Sequence, residues 1–163
     1  MNQAIDYCFR RIPVPERPQK PRARGLTMMI DWGLPLGLQR DCLQAQGLYV
    51  DEAKIAASIP RVMLKSYLRS KIDAYKAEGI FTFPGGLFTE LAIAQGNYEV
   101  FLKETAEAGF SGIEVSDNLL KIEPRQKKAV ISKAVKEYGL TVTDEDLRDV
   151  IMQIPEFQRN GTF

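Results

Sequence analysis

The tightest constraint on this chain is a beat: short β-rich runs, each followed by a stretch of helical periodicity. The runs are GLTMMIDWG (25–33), LYVDEAKIA (48–56), IFTFPGG (80–86), SGIEVSD (111–117) and LTVTDE (140–145). From the second onward their starts lie roughly 30 residues apart, the length of a strand, a crossover helix and two loops. Between them, PRVMLKSYLRSKIDAYKAEG has Pro60 to open a helix, Leu64, Tyr67, Leu68, Ile72 and Tyr75 on one apolar face, and Gly79 to close it. NYEVFLKETAEAG offers Asn97 as N-cap and Gly109 as stop, and EPRQKKAVISKAVKEYG turns Val130, Ile131, Ala134, Val135 and Tyr138 inward. Such alternation predicts parallel strands covered by helices, an α/β fold. No Gly-x-Gly-x-x-Gly follows the first strand and no P-loop is present, which weighs against nucleotide-binding open sheets. A barrel of eight units typically takes ~250 residues. The expected fold is therefore a TIM-barrel-like parallel βα repeat, incomplete at about five βα units. It occupies 25–163 as a single, partial barrel-like domain behind a basic, proline-rich arm over 1–24.

With 45% hydrophobic residues, a chain of 163 buries a core without disulfides or metal clips. Cys8 and Cys42 form no Cys-x-x-Cys and are read as two reduced thiols. The start MNQAIDYCFRR lacks an apolar signal region, and no stretch approaches the ~20 apolar residues of a membrane span. A cytoplasmic protein with no membrane partner is expected. The count that narrows the chemistry most is zero histidines. It removes the usual general base near neutral pH, the Ser-His-Asp and Cys-His arrangements, and every His-containing zinc site. Carboxylates and lysines must carry the chemistry, and any metal would sit among oxygen ligands, which favours Mg²⁺.

Overall charge is near neutral but unevenly spread. Residues 10–24 hold Arg10, Arg11, Arg17, Lys20, Arg22 and Arg24 against Glu16 alone, and Pro13, Pro15, Pro18 and Pro21 keep the stretch extended. No aromatic residue interleaves these charges, which argues against nucleic acid and for a cationic segment beside an anionic ligand site. In α/β folds ligands sit at the carboxyl ends of the strands. The runs are polar here: strand one ends with Asp31, strand two holds Asp51, Glu52 and Lys54, strand three ends in Pro84-Gly85-Gly86, and strand four ends in Glu114, Ser116 and Asp117. For any one carboxylate the plainer reading is a cap on the next helix. Their agreement at four strand ends predicts a shared site, in which Gly85-Gly86 would offer backbone N–H groups to a phosphate or carboxylate. Asp31, Glu114 and Asp117 could ligate Mg²⁺, and Lys54 could act as charge clamp or proton donor.

At these same residues the chain resembles the phosphosulfolactate synthase family. KPRARGLTMMIDWGL (20–34), YVDEAK (49–54), FPGGLFTELAIAQG (83–96) and GFSGIEVSDNLLKI (109–122) look like its signature stretches, in order and spacing, over residues 20 to about 143. The resemblance implies a TIM barrel and, in enzyme members, lyase-type formation of a C–S bond. Sulfite adds to phosphoenolpyruvate, with Mg²⁺, to give phosphosulfolactate on the way to coenzyme M. The family also includes plant heat-stress-associated homologues, so the alternative expectation is a catalytically inactive binding or stress-associated homologue. Carried onto this sequence, the resemblance implies Lys54, Asp31 and Asp117 as catalytic residues and Asp31, Glu114 and Asp117 around Mg²⁺. It implies Lys20, Arg22, Gly85, Gly86 and Ser116 for substrate binding. After Lys54 the family continues with aromatic and glycine-rich residues where this chain reads IAASIPRVM. After LTVTDE it continues with a Val-Gly-Lys segment and three more βα units where this chain reads DLRDVIMQIPEFQRNGTF. A partial barrel leaves two unpaired edges, to be met by a second copy in a homo-oligomer or capped by a helix over DEDLRDVIMQ (144–153).

Overall fold

Each β-rich run supplies one strand of the structure, a computed structural model that describes residues 8–9, 11–15 and 17–143. The strands are β1 (Met28–Asp31), β2 (Glu52–Ile55), β3 (Phe81–Pro84), β4 (Gly112–Glu114) and β5 (Thr141–Thr143). The helices are α1 (Leu36–Gln46), α2 (Ile59–Val62), α3 (Lys65–Ala77), α4 (Gly86–Ala94), α5 (Tyr98–Ala108) and α6 (Pro124–Tyr138). Pairing is parallel throughout: β1 with β2, β2 with β3, and β4 with β5. The two ladders meet where the Ser111 N–H donates to the Thr82 carbonyl at 2.8 Å. Spatial order thus follows chain order, without the reversal that marks a doubly wound sheet. Helices α1, α3, α5 and α6 touch in succession as one outer layer. The described residues form an arc of parallel strands wound as in a TIM barrel, and the barrel is not closed.

The core lies between sheet and helices. On the helix side of β2, Ala53 sits with Leu43, Tyr75 and Ile80, while Ile55 sits with Leu68, Ile72 and Phe110. A larger cluster gathers Ile113 of β4 with Leu102 of α5 and Val130, Ile131 and Ala134 of α6. Burial of roughly 1.5–3 kcal/mol per large side chain holds this layer on the sheet. Period-two alternation and the strand register leave Met28, Ile30, Lys54, Phe81 and Phe83 on the opposite, inner face. Gly112 also faces inward, because a Cβ there would stand 2.6 Å from the Phe81 ring. Met28 and Ile30 are 43% and 44% exposed, as befits an inner wall that no further strand encloses among the described residues.

Two sequence expectations change here. The helix opened by Pro60 is interrupted: Met63 is extended, leaving α2 as a single turn and Leu64 as the N-cap of α3. Leu64 is therefore exposed and Tyr67 partly so, while Leu68, Ile72 and Tyr75 remain buried. The break lets Met63 pack against the cluster of Ile55, Leu68 and Phe110. The arm, expected near an anionic site, instead docks at the amino ends of the strands. Arg22 Nη1 and Arg17 Nη2 reach Asp51 at 2.6 and 2.9 Å, just before β2. Lys20 Nζ caps the Gly47 and Glu78 carbonyls at 2.7 and 3.1 Å. Arg10, Glu16 and the helix expected over 144–153 lie outside the described residues. Both cysteines are free, and no described helix is long and apolar enough to cross a membrane.

The arm makes stability pH-dependent in a specified direction. Burial alone would raise the Asp51 pKa, but the Thr27 amide and the Arg22 and Arg17 guanidinium groups outweigh it and hold the carboxyl below 3.8. The stability this carboxylate contributes is fully present above 3.8 and is lost as pH falls through the lower folded value. With both side chains almost fully buried, Arg22→Ala is expected to cost about 3 kcal/mol at neutral pH. Urea unfolding of both proteins should show that gap shrinking below pH 3.8; equal stabilities at neutral pH would refute the latch.

Candidate functional site

Two inward-facing charges meet at the carboxyl ends of the strands. Lys54 of β2 and Glu114 of β4 reach across β3, Nζ to Oε1, at 2.9 Å, with each side chain 20% exposed. The second oxygen of Glu114 accepts the Gly86 N–H at 2.5 Å, at the first turn of α4. A helix amino end and an ammonium therefore bracket one carboxylate. Thr89, further along α4, donates its hydroxyl to the Glu114 carbonyl at 2.7 Å.

The diglycine is required sterically. A Cβ on Gly85 would approach the Ala57 amide nitrogen to 2.8 Å, and one on Gly86 would overlap the Ser116 side chain and press on Glu114. Ala57 itself stands at φ +45° in the turn after β2. A left-handed non-glycine residue costs about 1–3 kcal/mol and persists where packing over-determines it. The anion that Gly86 binds is thus internal, the Glu114 carboxylate. Beyond β4, Glu90 of α4 holds the next loop: Oε1 accepts from Ser116 Oγ at 2.5 Å and the Asn118 amide at 2.9 Å. Its Oε2 accepts from the Leu119 and Leu120 amides, both at 2.8 Å. Burial would raise the Glu90 pKa, yet the Ser116 hydroxyl and these amides bring it below its ordinary value. Asp117, in the same loop, is partly exposed and 3.8 Å from Lys127.

The structure thus brings together Lys54, Glu114, Gly85, Gly86 and Ser116 and sets the other expected site residues elsewhere. Lys20 and Arg22 are at the opposite end of the sheet. Asp31 turns toward the helices, fully buried, where Oδ1 accepts the Gly33 and Leu34 amides and Oδ2 accepts the Tyr75 hydroxyl at 2.7 Å. Lys71 Nζ lies 2.8 Å from the same Oδ2 and also bonds the Leu34 carbonyl and Gln39 Oε1. Burial would raise the Asp31 pKa, but Lys71, Tyr75 and the Leu34 amide bring it down, and burial together with Asp31 drives the Tyr75 hydroxyl up. The proposed Mg²⁺ triad of Asp31, Glu114 and Asp117 does not fit: Asp31 faces away with its oxygens taken. No three acidic or thiol side chains converge as a metal site among the described residues.

Sequence reasoning missed Lys71, Gln39, Glu90 and Lys127. A signal existed for three of them. Lys71 falls in the stripe Leu68, Lys71, Ile72, Tyr75; Glu90 in Gly86, Glu90, Ile93; and Lys127 in Lys127, Val130, Ile131, Ala134. A charge inside a helix's buried stripe must find a buried partner.

Comparisons with known proteins span the stretch that holds these residues. The family model described as (2R)-phospho-3-sulfolactate synthase (ComA) matches residues 15–150. Phosphosulfolactate synthase of Methanocaldococcus jannaschii is 35% identical over 122 residues, covering 75% of this chain and 48% of that protein. That of Methanothermobacter thermautotrophicus is 28% identical over 135 residues, 83% of this chain and 52% of that one. Protein HEAT-STRESS-ASSOCIATED 32 of Arabidopsis thaliana is 25% identical over 130 residues, 77% of this chain and 45% of that one. The chain spans about half the length of the curated relatives it matches.

Because Asp31 and Lys71 neutralise each other where no water reaches, Asp31→Asn is expected to destabilise the fold by about 3 kcal/mol. The measurement is denaturant unfolding in chelator-treated buffer. Unchanged stability there, with weakened Mg²⁺ binding, would return Asp31 to the role of metal ligand.

Proposed function

The chain belongs to the phosphosulfolactate synthase family, and from that premise we propose that it binds phosphoenolpyruvate and sulfite beside Lys54 and joins them into phosphosulfolactate. The observation that carries this reading is the Lys54–Glu114 pair, 2.9 Å apart on the inner face at the carboxyl ends of β2 and β4. In the proposed reaction the sulfur lone pair of sulfite attacks the methylene carbon of phosphoenolpyruvate. A C–S bond forms, and the π electrons move to the carbon bearing phosphate and into the adjoining carboxylate. A proton then reaches that carbon, and no group leaves. Lys54 supplies a positive charge where negative charge develops and is the proton donor within reach. Glu114 holds the ammonium in place until substrate arrives, and solvent, which reaches both side chains of the pair, returns a proton to Lys54 afterwards. Charge stabilisation in this proposal rests on Lys54, since the described carboxylates do not assemble the expected Mg²⁺ triad.

The likeness to Protein HEAT-STRESS-ASSOCIATED 32, whose name states no reaction, motivates a second reading, a stress-associated homologue that binds phosphoenolpyruvate without turning it over. Sulfite-dependent loss of phosphoenolpyruvate, followed by phosphorus NMR, separates the two. Turnover that falls by about a hundredfold or more in Lys54→Ala is expected. Binding without turnover would select the second reading, and neither binding nor turnover would remove both.

A further inference from the structure

Helix α4 grips the last residue of β4 and the loop after it at three points on one side. Gly86 donates to the Glu114 carboxylate, Thr89 to the Glu114 carbonyl, and Glu90 receives the Ser116 hydroxyl and three successive amides. Gly86 and Glu90 are one helical turn apart, so they share a face. Glu90 is 3% exposed, and its acceptors all point into one loop. Three consecutive N–H groups folded around an anion form a nest, and here the anion is a side chain built into the protein. Ser116 ties this nest to the site: its side chain is the one that a Cβ on Gly86 would strike. Any shift of residues 116–120 is therefore passed to the seat of Gly86, to Glu114 and so to Lys54.

We propose that Glu90 is a positioning residue for the Lys54–Glu114 pair, acting by clamping the 116–120 loop against the amino end of α4. This rests on the reading of Lys54 as the reacting cation, and the site loses its geometry when the clamp is neutral. Glu90→Gln keeps the shape but replaces one acceptor oxygen with a donor that faces donors.

The test uses the full chain and three readouts. In Glu90→Gln, amide exchange at Asn118, Leu119 and Leu120 should quicken. Acetylation of Lys54 by acetic anhydride, read by mass spectrometry against the exposed Lys103, should rise severalfold as Glu114 loosens. In the sulfite assay kcat should fall by about tenfold or more with KM little changed. Ser116→Ala, which removes one donor and leaves the carboxylate, should move the same readouts less and serves if Glu90→Gln does not unfold cooperatively. Faster amide exchange with unchanged Lys54 labelling would overturn the proposal, leaving Glu90 as a loop anchor alone. A wild-type chain without turnover whose Lys54 labelling still responds to Glu90→Gln would uphold the positioning role and defeat the assigned reaction.

Discussion

A carboxylate leaves water only where donors replace its hydration, and the carboxyl ends of these strands are organised by three carboxylates that meet the condition differently. Asp31 turns to the helix layer and is sealed by Lys71, Tyr75 and two amides. Glu90 turns to a loop and is sealed by a hydroxyl and three amides. Glu114 turns inward, where Lys54 and the Gly86 amide satisfy it while leaving both partners of the ion pair within reach of solvent. The requirement that builds the scaffold thus also selects which carboxylate faces the inner wall.

The two ends of the sheet divide the charged residues between them. At the amino ends Asp51 draws in Arg17, Arg22 and the Thr27 amide, so these two cations of the basic arm serve to anchor it. At the carboxyl ends the groups lie on strand tips and the loops after them, the position from which barrel folds run their chemistry. A run of arginines before a first strand reads from sequence as an anion trap, and here the anion it traps is the protein's own Asp51.

The fold was largely legible in sequence because it is written in periodicity: all five β-rich runs became strands, α3 buries Leu68, Ile72 and Tyr75 of the face its spacing marks, and α6 buries Val130, Ile131 and Ala134. Lys54, Glu114, Ser116 and the diglycine were legible for a different reason, since strand-end position and inward alternation are both local properties. Asp31 misled because it satisfies the strand-end rule while its parity in the register turns it to the helices, a fact visible only once β1 is aligned on β2. Lys20 and Arg22 misled because nothing local says to which end of a sheet an extended arm returns. The break at Met63 was hidden by an apolar pattern that runs through it without interruption.

All paired strands of the described arc are parallel, and this governs how the chain reaches its structure as well as how it holds it. No two strands here can be zipped by a hairpin turn, since each pairing encloses a loop and at least one helix. Every step of assembly carries the loop-closure entropy of a long crossover before any interstrand bond repays it. Strand β2 has a neighbour on each side, with Ala53 and Ile55 both packed on α3, so within the unit β2–α3–β3 that entropy is offset by burial against one helix. The rate of folding of such a topology follows from the sequence separation of its contacts more than from the strength of any one of them.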